Sequence, residues 1–436
     1  MKSLLLPTID AASLARTRAA PVDRETLAAA RSILEDIDAR GEPAAMEYAL
    51  RFGDYRAGEP VVLGAPELRG ALERIAASQR KLLERTAARI ETFAMAQRAS
   101  VSGMQIAIPG GVAGHECVPV RSAACYAPGG RYPLPSSVLM TAVTARAAGV
   151  ESIVVVSPRP TDSVLAAAAI AGAQAVVTFG GVQGIAVVAR GLFGLPACDM
   201  IVGPGNRWVT AAKQLVSAQT GIDMLAGPSE LVVIADDSAR PAVVAADLLA
   251  QAEHDTDAIP VLIAIGRDVI QRVREEVETQ LETLPTREIA RESMRQGISL
   301  LARDTTEAVG LSDQIGPEHL EIVTRDAPDL LGLVRNAGAV FVGEAAAEVF
   351  GDYGAGPNHV LPTGGSSRFR AGLSVFTFLR MRTWIRIDRP MESAPLILDA
   401  ASFARIEHLE AHARSAECRI PLSADYPGAT PVSAAF

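Results

Sequence analysis

The sequence contains few cysteines and few aromatic residues. Only four cysteines occur among its 436 residues, Cys117, Cys125, Cys198 and Cys418, and no two of them form a CxxC pair. This scarcity excludes a disulfide-rich scaffold and predicts a reducing compartment, in which each thiol is a small core residue. Aromatic residues make up 4% of the chain, whereas 49% of it is hydrophobic. Much of that hydrophobic share is alanine, which favours helices and close packing over bulky cores.

The sequence also lacks an excess of basic residues and a long apolar run. Lys and Arg total 41 against 50 Asp and Glu, a net charge of −9, which argues against nucleic acid or an anionic membrane as the main partner. The most hydrophobic window, residues 164–177, is interrupted by Gly172 and Gln174. It predicts a buried helix leading into a strand, too short to span a bilayer. Residues 1–30 contain no apolar core after a basic start, so we expect no signal peptide and a cytoplasmic protein.

The middle of the chain alternates short β-branched runs with alanine-rich helical stretches, after a charge-rich helical region at 26–98. The first series has strands at 152–156, 175–179 and 200–202 and helices at 164–171, 185–190 and 208–217. The second has strands at 231–235, 261–265 and 340–342 and helices at 243–252 and 268–281. Such alternation is typical of parallel sheets covered on both faces. We therefore predict an α/β protein with two sheets in tandem and small helical appendages at both ends, the last of them a single helix at about residues 401–419.

Three glycine-containing turns separate a predicted strand from a helix, although neither the GxGxxG nor the GxxxxGK[ST] fingerprint occurs. They are residues 126–130, 180–183 and 203–206. Ligands bind at the carboxyl ends of parallel strands, where helix N-termini favour phosphate. Any α/β protein needs glycines in such turns, but three turns with polar residues beside them favour a binding site.

Histidine is scarce, and most of the six histidines stand near carboxylate or amide residues. The pairs are Gln251 and His254, Glu318 and His319, Asp352 and His359, and Glu407 and His412. The first pair is spaced for one face of a helix, where both side chains could bind one ion. The last pair lies about 140° apart on an ideal helix, so we expect different partners. Each pair alone is most often structural, and spacing alone does not assemble them into one site.

Longer motifs resemble a known family. They are GPGN at 203–206, GIDMLAGPSE at 221–230, AADLLAQAEHD at 245–255, GPEHLE at 316–321, GDY at 351–353 and NHVLPT at 358–363. In this order they closely resemble histidinol dehydrogenase, and the match runs from about residue 33 to residue 419.

The resemblance implies an oxidoreductase of histidine biosynthesis. The family oxidises L-histidinol to L-histidine in two NAD-dependent steps through a bound L-histidinaldehyde. Its members hold one Zn²⁺ per subunit and form homodimers with shared active sites. Each subunit has two Rossmann-like domains, which are incomplete doubly wound parallel sheets.

The domains implied for this chain are an N-terminal arm (1–22), a first Rossmann-like domain with the zinc and catalytic residues (23–125 plus 231–373), a second on the NAD side (126–230), and a C-terminal helical segment (374–436) that contributes to the dimer and the active site.

The resemblance also assigns site residues. The zinc ligands would be Gln251, His254, Asp352 and His412. His319 would be the general base, and Glu318 would activate water to hydrate the aldehyde. The substrate would contact the zinc ligands and His319, together with Ser229, His359, Glu407, Ser136 and Ser137. NAD would contact Tyr126, Gln183 and Asn206, one in each glycine turn.

The chain departs from the family pattern at three places. Thr377 stands where Asp is common, His408 where Gly is usual, and residues 131–135 differ from the usual segment.

Three alternatives remain: a paralogue that oxidises another small amino or hydroxy alcohol with the same zinc and NAD site, a zinc hydrolase in which Glu318 activates water, and a non-catalytic binding protein. The Glu407 carboxylate would repel an anionic alcohol, which argues against a paralogue with such a substrate. A hydrolase would leave the three glycine turns without a role. The retained Glu318 and His319 argue against a protein that has lost catalysis.

Overall fold

The structure is a computed structural model that describes residues 5–14, 22–129 and 132–420. Predictions that concern Gly130, Arg131, parts of the N-terminal arm and the tail after residue 420 lie outside the described residues. The chain forms two compact units, a larger one of residues 1–98 and 120–378 and a smaller one of residues 99–119 and 379–436. Within the described ranges, no helix is both long enough and apolar enough to cross a membrane.

The described strands, in chain order, are β1 (Val62–Leu63), β2 (Met104–Ile108), β3 (Gly111–Pro119), β4 (Ser122–Tyr126), β5 (Ser152–Val156), β6 (Ala175–Val177), β7 (Met200–Val202), β8 (Gly221–Ile222), β9 (Glu230–Ala235), β10 (Ile259–Ile265), β11 (Ile298–Ala302), β12 (His319–Val323), β13 (Ala339–Val342) and β14 (Leu379–Ile387).

The described α-helices are α1 (Arg24–Arg40), α2 (Glu42–Arg51), α3 (Ala65–Arg74), α4 (Ala77–Ala99), α5 (Pro135–Val138), α6 (Thr144–Ala148), α7 (Asp162–Ala171), α8 (Gly181–Arg190), α9 (Arg207–Val216), α10 (Pro241–Ala252), α11 (Arg267–Leu281), α12 (Arg287–Gln296), α13 (Thr305–Ile315), α14 (Ala327–Leu330), α15 (Glu348–Asp352), α16 (Ala394–Ile406) and α17 (Glu410–Glu417). A π-helical turn, Leu139–Val143, joins α5 to α6. Short 3-10 turns occur at Ala11–Ser13, Leu331–Leu333, Ser366–Arg368, Val375–Phe378 and Pro390–Ser393.

In the larger unit, six described strands form a sheet in the order β1-β6-β5-β4-β7-β8. All neighbours are parallel except β1, which pairs antiparallel with β6. The apolar runs of β5 and β6 are buried between helices, as expected for a sheet covered on both faces. Because β4, β6 and β7 run in the same direction, the three glycine turns that follow them share one edge of the sheet.

A second, fully parallel sheet of the larger unit has the order β11-β10-β9-β12-β13. The predicted α/β class with parallel sheets is therefore confirmed, and the predicted strands 152–156 and 200–202 have the observed bounds. Strands β9 and β12 are neighbours, so Glu230 and His319, the first residues of these strands, both lie at the amino edge of this sheet.

Strand pairing places part of the chain differently from the predicted domain boundaries. Strand β1 and all but the last residue of β4 lie in the range 23–125, yet both strands pair in the six-stranded sheet instead of the sheet of residues 230–342. Helices α1 and α2 also pack against α8 and α9. The predicted boundary after residue 125 falls inside β4, because the run Ser-Ala-Ala-Cys-Tyr has none of the β-branched residues that identify a strand by composition.

The smaller unit contains an antiparallel sheet, β14-β3-β2, and the last two helices. The single helix predicted at about 401–419 is wrong, since α16 and α17 are separated by residues 407–409. His408 has φ +62° there, a left-handed conformation that ends a helix. The ideal-helix angle between Glu407 and His412 therefore does not apply. Among the thiols, Cys125 and Cys198 are buried as predicted, but Cys117 is only partly buried and Cys418 is exposed.

Candidate active site

His319 lies in the larger unit as the first residue of β12, and it is 4% exposed. Its Nδ1 lies 3.1 Å from the backbone oxygen of Glu230, whereas Nε2 is buried with no hydrogen-bond partner. Burial lowers the pKa of His319 to about 4, because the imidazolium would lose its hydration. The ring is therefore neutral near pH 7, and a neutral imidazole nitrogen without a partner can accept a proton.

Glu318 lies beside this base and is held by the segment that enters β9. The backbone N–H of Glu230 donates to Glu318 Oε2 at 3.0 Å, and the side chain of Ser229 also hydrogen-bonds Glu318. Burial raises the pKa of Glu318 well above its usual value, and the neighbouring Glu230 carboxyl raises it further. The predicted residues Ser229, Glu318 and His319 are thus brought together at the amino edge of the sheet.

A second cluster combines residues from three elements. Gln251 is near the end of α10, His254 follows in the next turn, and Asp352 ends α15. Gln251 Nε2 lies 3.3 Å from His254 Nδ1, and His254 Nε2 lies 4.0 Å from Asp352 Oδ2. The other carboxylate oxygen of Asp352 is 3.4 Å from His359 Nδ1. Four predicted residues from two sequence pairs therefore meet in one place.

This second cluster fits a bound cation. Gln251 is fully buried, and its Oε1 has no hydrogen-bond partner. Burial alone would raise the pKa of Asp352, but the hydrogen bond from His359 and the nearby imidazoles lower it overall, which keeps the carboxylate ionised. One zinc ion with bonds of about 2.0–2.2 Å can contact both His254 Nε2 and Asp352 Oδ2.

Asp352 also belongs to an alternative set of ligand atoms. Within the part of the chain that the structure describes, single atoms of His319, Glu348 and Asp352 lie within 4.8 Å of one another. Burial raises the pKa of Glu348 well above its usual value, which disfavours the ionised carboxylate that binds metal. Gln251 instead offers a neutral amide oxygen that needs no ionisation, which favours the set with Gln251 and His254.

A cavity of about 590 Å³ opens beside both clusters. His319, Asp352 and His359 contribute to its wall, and apolar side chains form much of the remainder, including Phe341, Phe350, Leu361, Leu373 and Phe376. Its volume is within the range of about 300–1,000 Å³ that is typical of small-molecule sites. The cavity can therefore admit a small polar substrate next to the base and the carboxylate.

Three carboxyl groups behind His319 have no role in the sequence analysis. Glu348 Oε1 lies 3.5 Å from His319 Nδ1, the backbone N–H of Glu348 donates to Glu321 at 2.7 Å, and Glu321 hydrogen-bonds Asp247. Burial raises the pKa of Glu321 to about 8. A carboxylate inside the apolar strand His319–Val323 is a sequence signal for Glu321, whereas Glu348 carries none, since its burial depends on the folding of α15.

The predicted NAD contacts lie at the shared edge of the six-stranded sheet. The Tyr126 hydroxyl accepts a hydrogen bond from Gly181 N at 3.3 Å, and Gln183 Nε2 donates to Asp54 at 2.7 Å. Asn206 Oδ1 caps α9 by accepting from the backbone N–H groups of its first turn. Asp54, which fixes the Gln183 amide, carries no recognisable signal because it lies in an ordinary polar loop.

The structure joins the remaining predicted residues less directly. Ser136 and Ser137 lie in α5, and no described side-chain hydrogen bond connects them to Asp352 or His319. Asn358 Nδ2 donates to Met140 O in the π-helical turn at 2.7 Å, so the loop carrying His359 packs on the helix that follows these serines. Glu407 and His412 belong to the smaller unit, where both are exposed.

Comparisons with known proteins agree with this geometry. The sequence profile of the histidinol dehydrogenase family matches residues 16–420. Histidinol dehydrogenase of Dechloromonas aromatica is 40% identical over 395 residues, covering 89% of this chain and 91% of that protein. The protein of the same name from Thermus thermophilus is 41% identical over 390 residues, covering 89% and 93%.

A solved structure extends the agreement to three dimensions. The crystal structure of histidinol dehydrogenase from Elizabethkingia anophelis superposes with a TM-score of 0.88 at 28% identity, covering 95% of this chain and 98% of that one. The matched sequence profile, the two curated relatives and the shared fold lead to one conclusion. The chain belongs to the histidinol dehydrogenase family and is an enzyme of the dehydrogenase class.

Proposed function

We propose that this protein oxidises L-histidinol to L-histidine, with two NAD molecules as hydride acceptors, in the last steps of histidine biosynthesis. The observation that carries the proposal is the buried, unpartnered Nε2 of His319 in the cavity wall beside Asp352 and His359. The relatives named above support the substrate, since each is called a histidinol dehydrogenase.

His319 is the general base in this proposal. As the substrate C–H hydride passes to NAD, the hydroxyl proton passes to His319 Nε2, and the alcohol becomes an aldehyde. The hydrogen bond between Nδ1 and the Glu230 carbonyl fixes the ring during this transfer. Glu230 O also stabilises the imidazolium that forms. This carbonyl oxygen accepts a hydrogen bond from Nδ1–H whether the ring is neutral or charged.

Glu318 serves the second oxidation. It takes a proton from water, which adds to the bound aldehyde and forms the hydrate that loses the second hydride. Because burial raises its pKa, the carboxylate form of Glu318 is a stronger base towards water than an ordinary carboxylate. Ser229 and the backbone N–H of Glu230 orient the carboxyl group. One alcohol, one water and two NAD therefore give one carboxylate and two NADH, with the protons released to solvent.

Gln251, His254 and Asp352 would hold a zinc ion, one per subunit, and His412 would be the fourth ligand. When bound, zinc orients the amino alcohol and polarises its oxygen, but it is redox-inert. His359 and Glu407 would bind the substrate, and Ser136 and Ser137 would lie nearby. Tyr126, Gln183 and Asn206 would bind NAD.

A homodimer with shared active sites in the cytoplasm is part of the proposal. The smaller unit exposes large apolar side chains, including Ile385 at 71%, Phe403 at 63% and Ile406 at 73%. Large exposed apolar side chains of this kind support an interaction surface on this unit. A partner subunit would cover it and would bring a C-terminal segment, with His412 and Glu407, to an active site. Within this proposal residues 126–230 remain on the NAD side and are joined there by β1 and β4, which amends the predicted domain division.

The test is a count of NADH formed from limiting L-histidinol by zinc-loaded protein with excess NAD. We expect two NADH per substrate and L-histidine as the product. One NADH with accumulation of an aldehyde would limit the function to alcohol oxidation. No NADH from folded, zinc-replete protein would refute the histidinol assignment, and other small amino alcohols would then be assayed to test the paralogue alternative.

A further inference from the structure

Lys213 and Asp223 form a buried ion pair that has no role in the chemistry above. Their side chains are 3% and 1% exposed, and Lys213 Nζ contacts Asp223 Oδ1. Lys213 is in α9, and Asp223 directly follows β8. A buried ion pair rarely stabilises a fold more than well-packed apolar side chains of similar size, because both charges lose their hydration. Stability alone therefore does not explain the pair.

Both members of the pair bind the backbone of Gly203, the residue at which the chain leaves β7. Lys213 Nζ donates to Gly203 O at 3.0 Å, and Asp223 Oδ2 accepts from Gly203 N at 2.7 Å. Gly203 has φ +111°, and a Cβ on it would lie 2.1 Å from the backbone oxygen of Tyr126. The pair therefore fixes both polar groups of a backbone residue whose conformation requires glycine.

The turn held in this way carries groups that face the proposed NAD site. Asn206, three residues on, is exposed, and its Oδ1 caps α9, which leaves the Nδ2 amide as a donor for a ligand. The backbone of Tyr126, at the end of the neighbouring strand β4, packs directly on Gly203. Asp223 is itself held by Met224 N, which donates to Oδ1 at 2.6 Å, and by Arg370, which donates to its backbone oxygen at 3.0 Å.

We propose that Lys213 and Asp223 are positioning residues for the dinucleotide, which hold turn 203–206 in its binding conformation before the cofactor arrives. The inference rests on the proposed NAD site. A turn that is already ordered loses little conformational entropy on binding. Loosening the turn is therefore expected to weaken NAD binding strongly and to change turnover at saturating NAD only slightly.

The test compares NAD binding by calorimetry in the zinc-loaded protein and two variants. Lys213→Met leaves a buried carboxylate unpaired and is expected to lower the Tm most. The double variant Lys213→Met/Asp223→Asn removes both charges and retains an acceptor for Gly203 N, so its Tm should lie closer to that of the unaltered protein. We expect its Kd for NAD to rise at least tenfold, with kcat at saturating NAD within about threefold.

Val216→Ala, at the last residue of α9 and one turn after Lys213, is the matched control. Val216 is buried, so the variant loses stability in the same helix without touching Gly203, and its Kd for NAD should not change. A double variant that binds NAD within twofold of the unaltered protein would overturn the positioning role. Absence of NAD binding by the unaltered protein would instead overturn the proposed cofactor, and the inference with it.

Hydrogen exchange on the unaltered protein gives an answer even if the double variant does not fold. The proposal expects the Gly203 amide to be strongly protected without NAD and to change little when NAD binds. Rapid exchange that becomes slow only with NAD would show that the cofactor orders the turn, which contradicts positioning by the ion pair.

Discussion

The backbone oxygen of Glu230 orients the His319 ring, because it accepts a hydrogen bond from Nδ1 at 3.1 Å. The contact follows from strand register: β9 and β12 are parallel neighbours, with His319 opposite Leu231. The ring is thereby fixed, and Nε2 is the nitrogen left for substrate.

Replacing His319 should therefore affect proton transfer more than folding. We expect His319→Asn to lower kcat for NADH formation by roughly 10²–10⁴-fold, the usual contribution of a general base. The Tm and the zinc content should change little. His115→Asn, on a strand of the smaller unit, is a matched control that should keep kcat. A His319→Asn enzyme within threefold of the normal rate would exclude His319 as the base.

Gln251 should be required for metal retention. We expect Gln251→Ala to lower the zinc affinity by at least tenfold, because a buried oxygen ligand is lost and alanine has no donor atom to replace it. Zinc content after dialysis against a chelator measures the effect. Glu348→Gln separates the two ligand sets, since it should retain zinc. The opposite pattern, loss with Glu348→Gln and retention with Gln251→Ala, would favour the set of His319, Glu348 and Asp352.

Glu230 should make stability depend on pH. Burial raises the pKa of its carboxyl to about 7 from the usual 4.5, so the folded state binds a proton that the unfolded chain releases. The stabilisation is full below about pH 4.5 and is lost as the pH rises through about 7. The difference between these two pKa values corresponds to about 3 kcal/mol of unfolding free energy.

Glu230→Gln isolates this dependence, because an amide keeps the shape of the protonated acid and does not titrate. Urea unfolding at pH 5, 6, 7 and 8 should show a free energy of unfolding that falls less steeply in the variant. Parallel curves for the two proteins would mean that Glu230 has an ordinary pKa in the folded chain.

The backbone conformation of His408 should lower the stability of the smaller unit. It has φ +62° and is exposed, and the left-handed conformation costs a residue with a Cβ about 1–2 kcal/mol. We expect His408→Gly to raise the free energy of unfolding by roughly 1 kcal/mol, after the greater chain entropy of glycine is deducted. His408→Ala keeps the Cβ and should show no comparable gain. Equal gains from Gly and Ala would mean that the imidazole, and not the backbone, is the source of strain.

Much of the fold was readable from local sequence patterns. The apolar runs at 152–156 and 200–202 predict β5 and β7, because a strand buried on both faces needs consecutive apolar residues. Strand β4 precedes the first glycine turn as expected, but its bounds are not predictable from composition, since it has no β-branched residue although it lies at the centre of its sheet. The break at His408 was also missed, because a histidine does not normally adopt the conformation that ends α16.

The sequence by itself determined which elements form, where the glycine turns lie and which residue types can do acid–base and metal chemistry. These properties depend on neighbours within a few positions along the chain. Only the tertiary structure decided that His254 meets Asp352, that Glu348 lies behind His319, and that Lys213 and Asp223 close on Gly203. Each of these contacts joins separate elements through strand order and helix packing, and burial then changes the pKa of the groups involved, which a linear pattern does not encode.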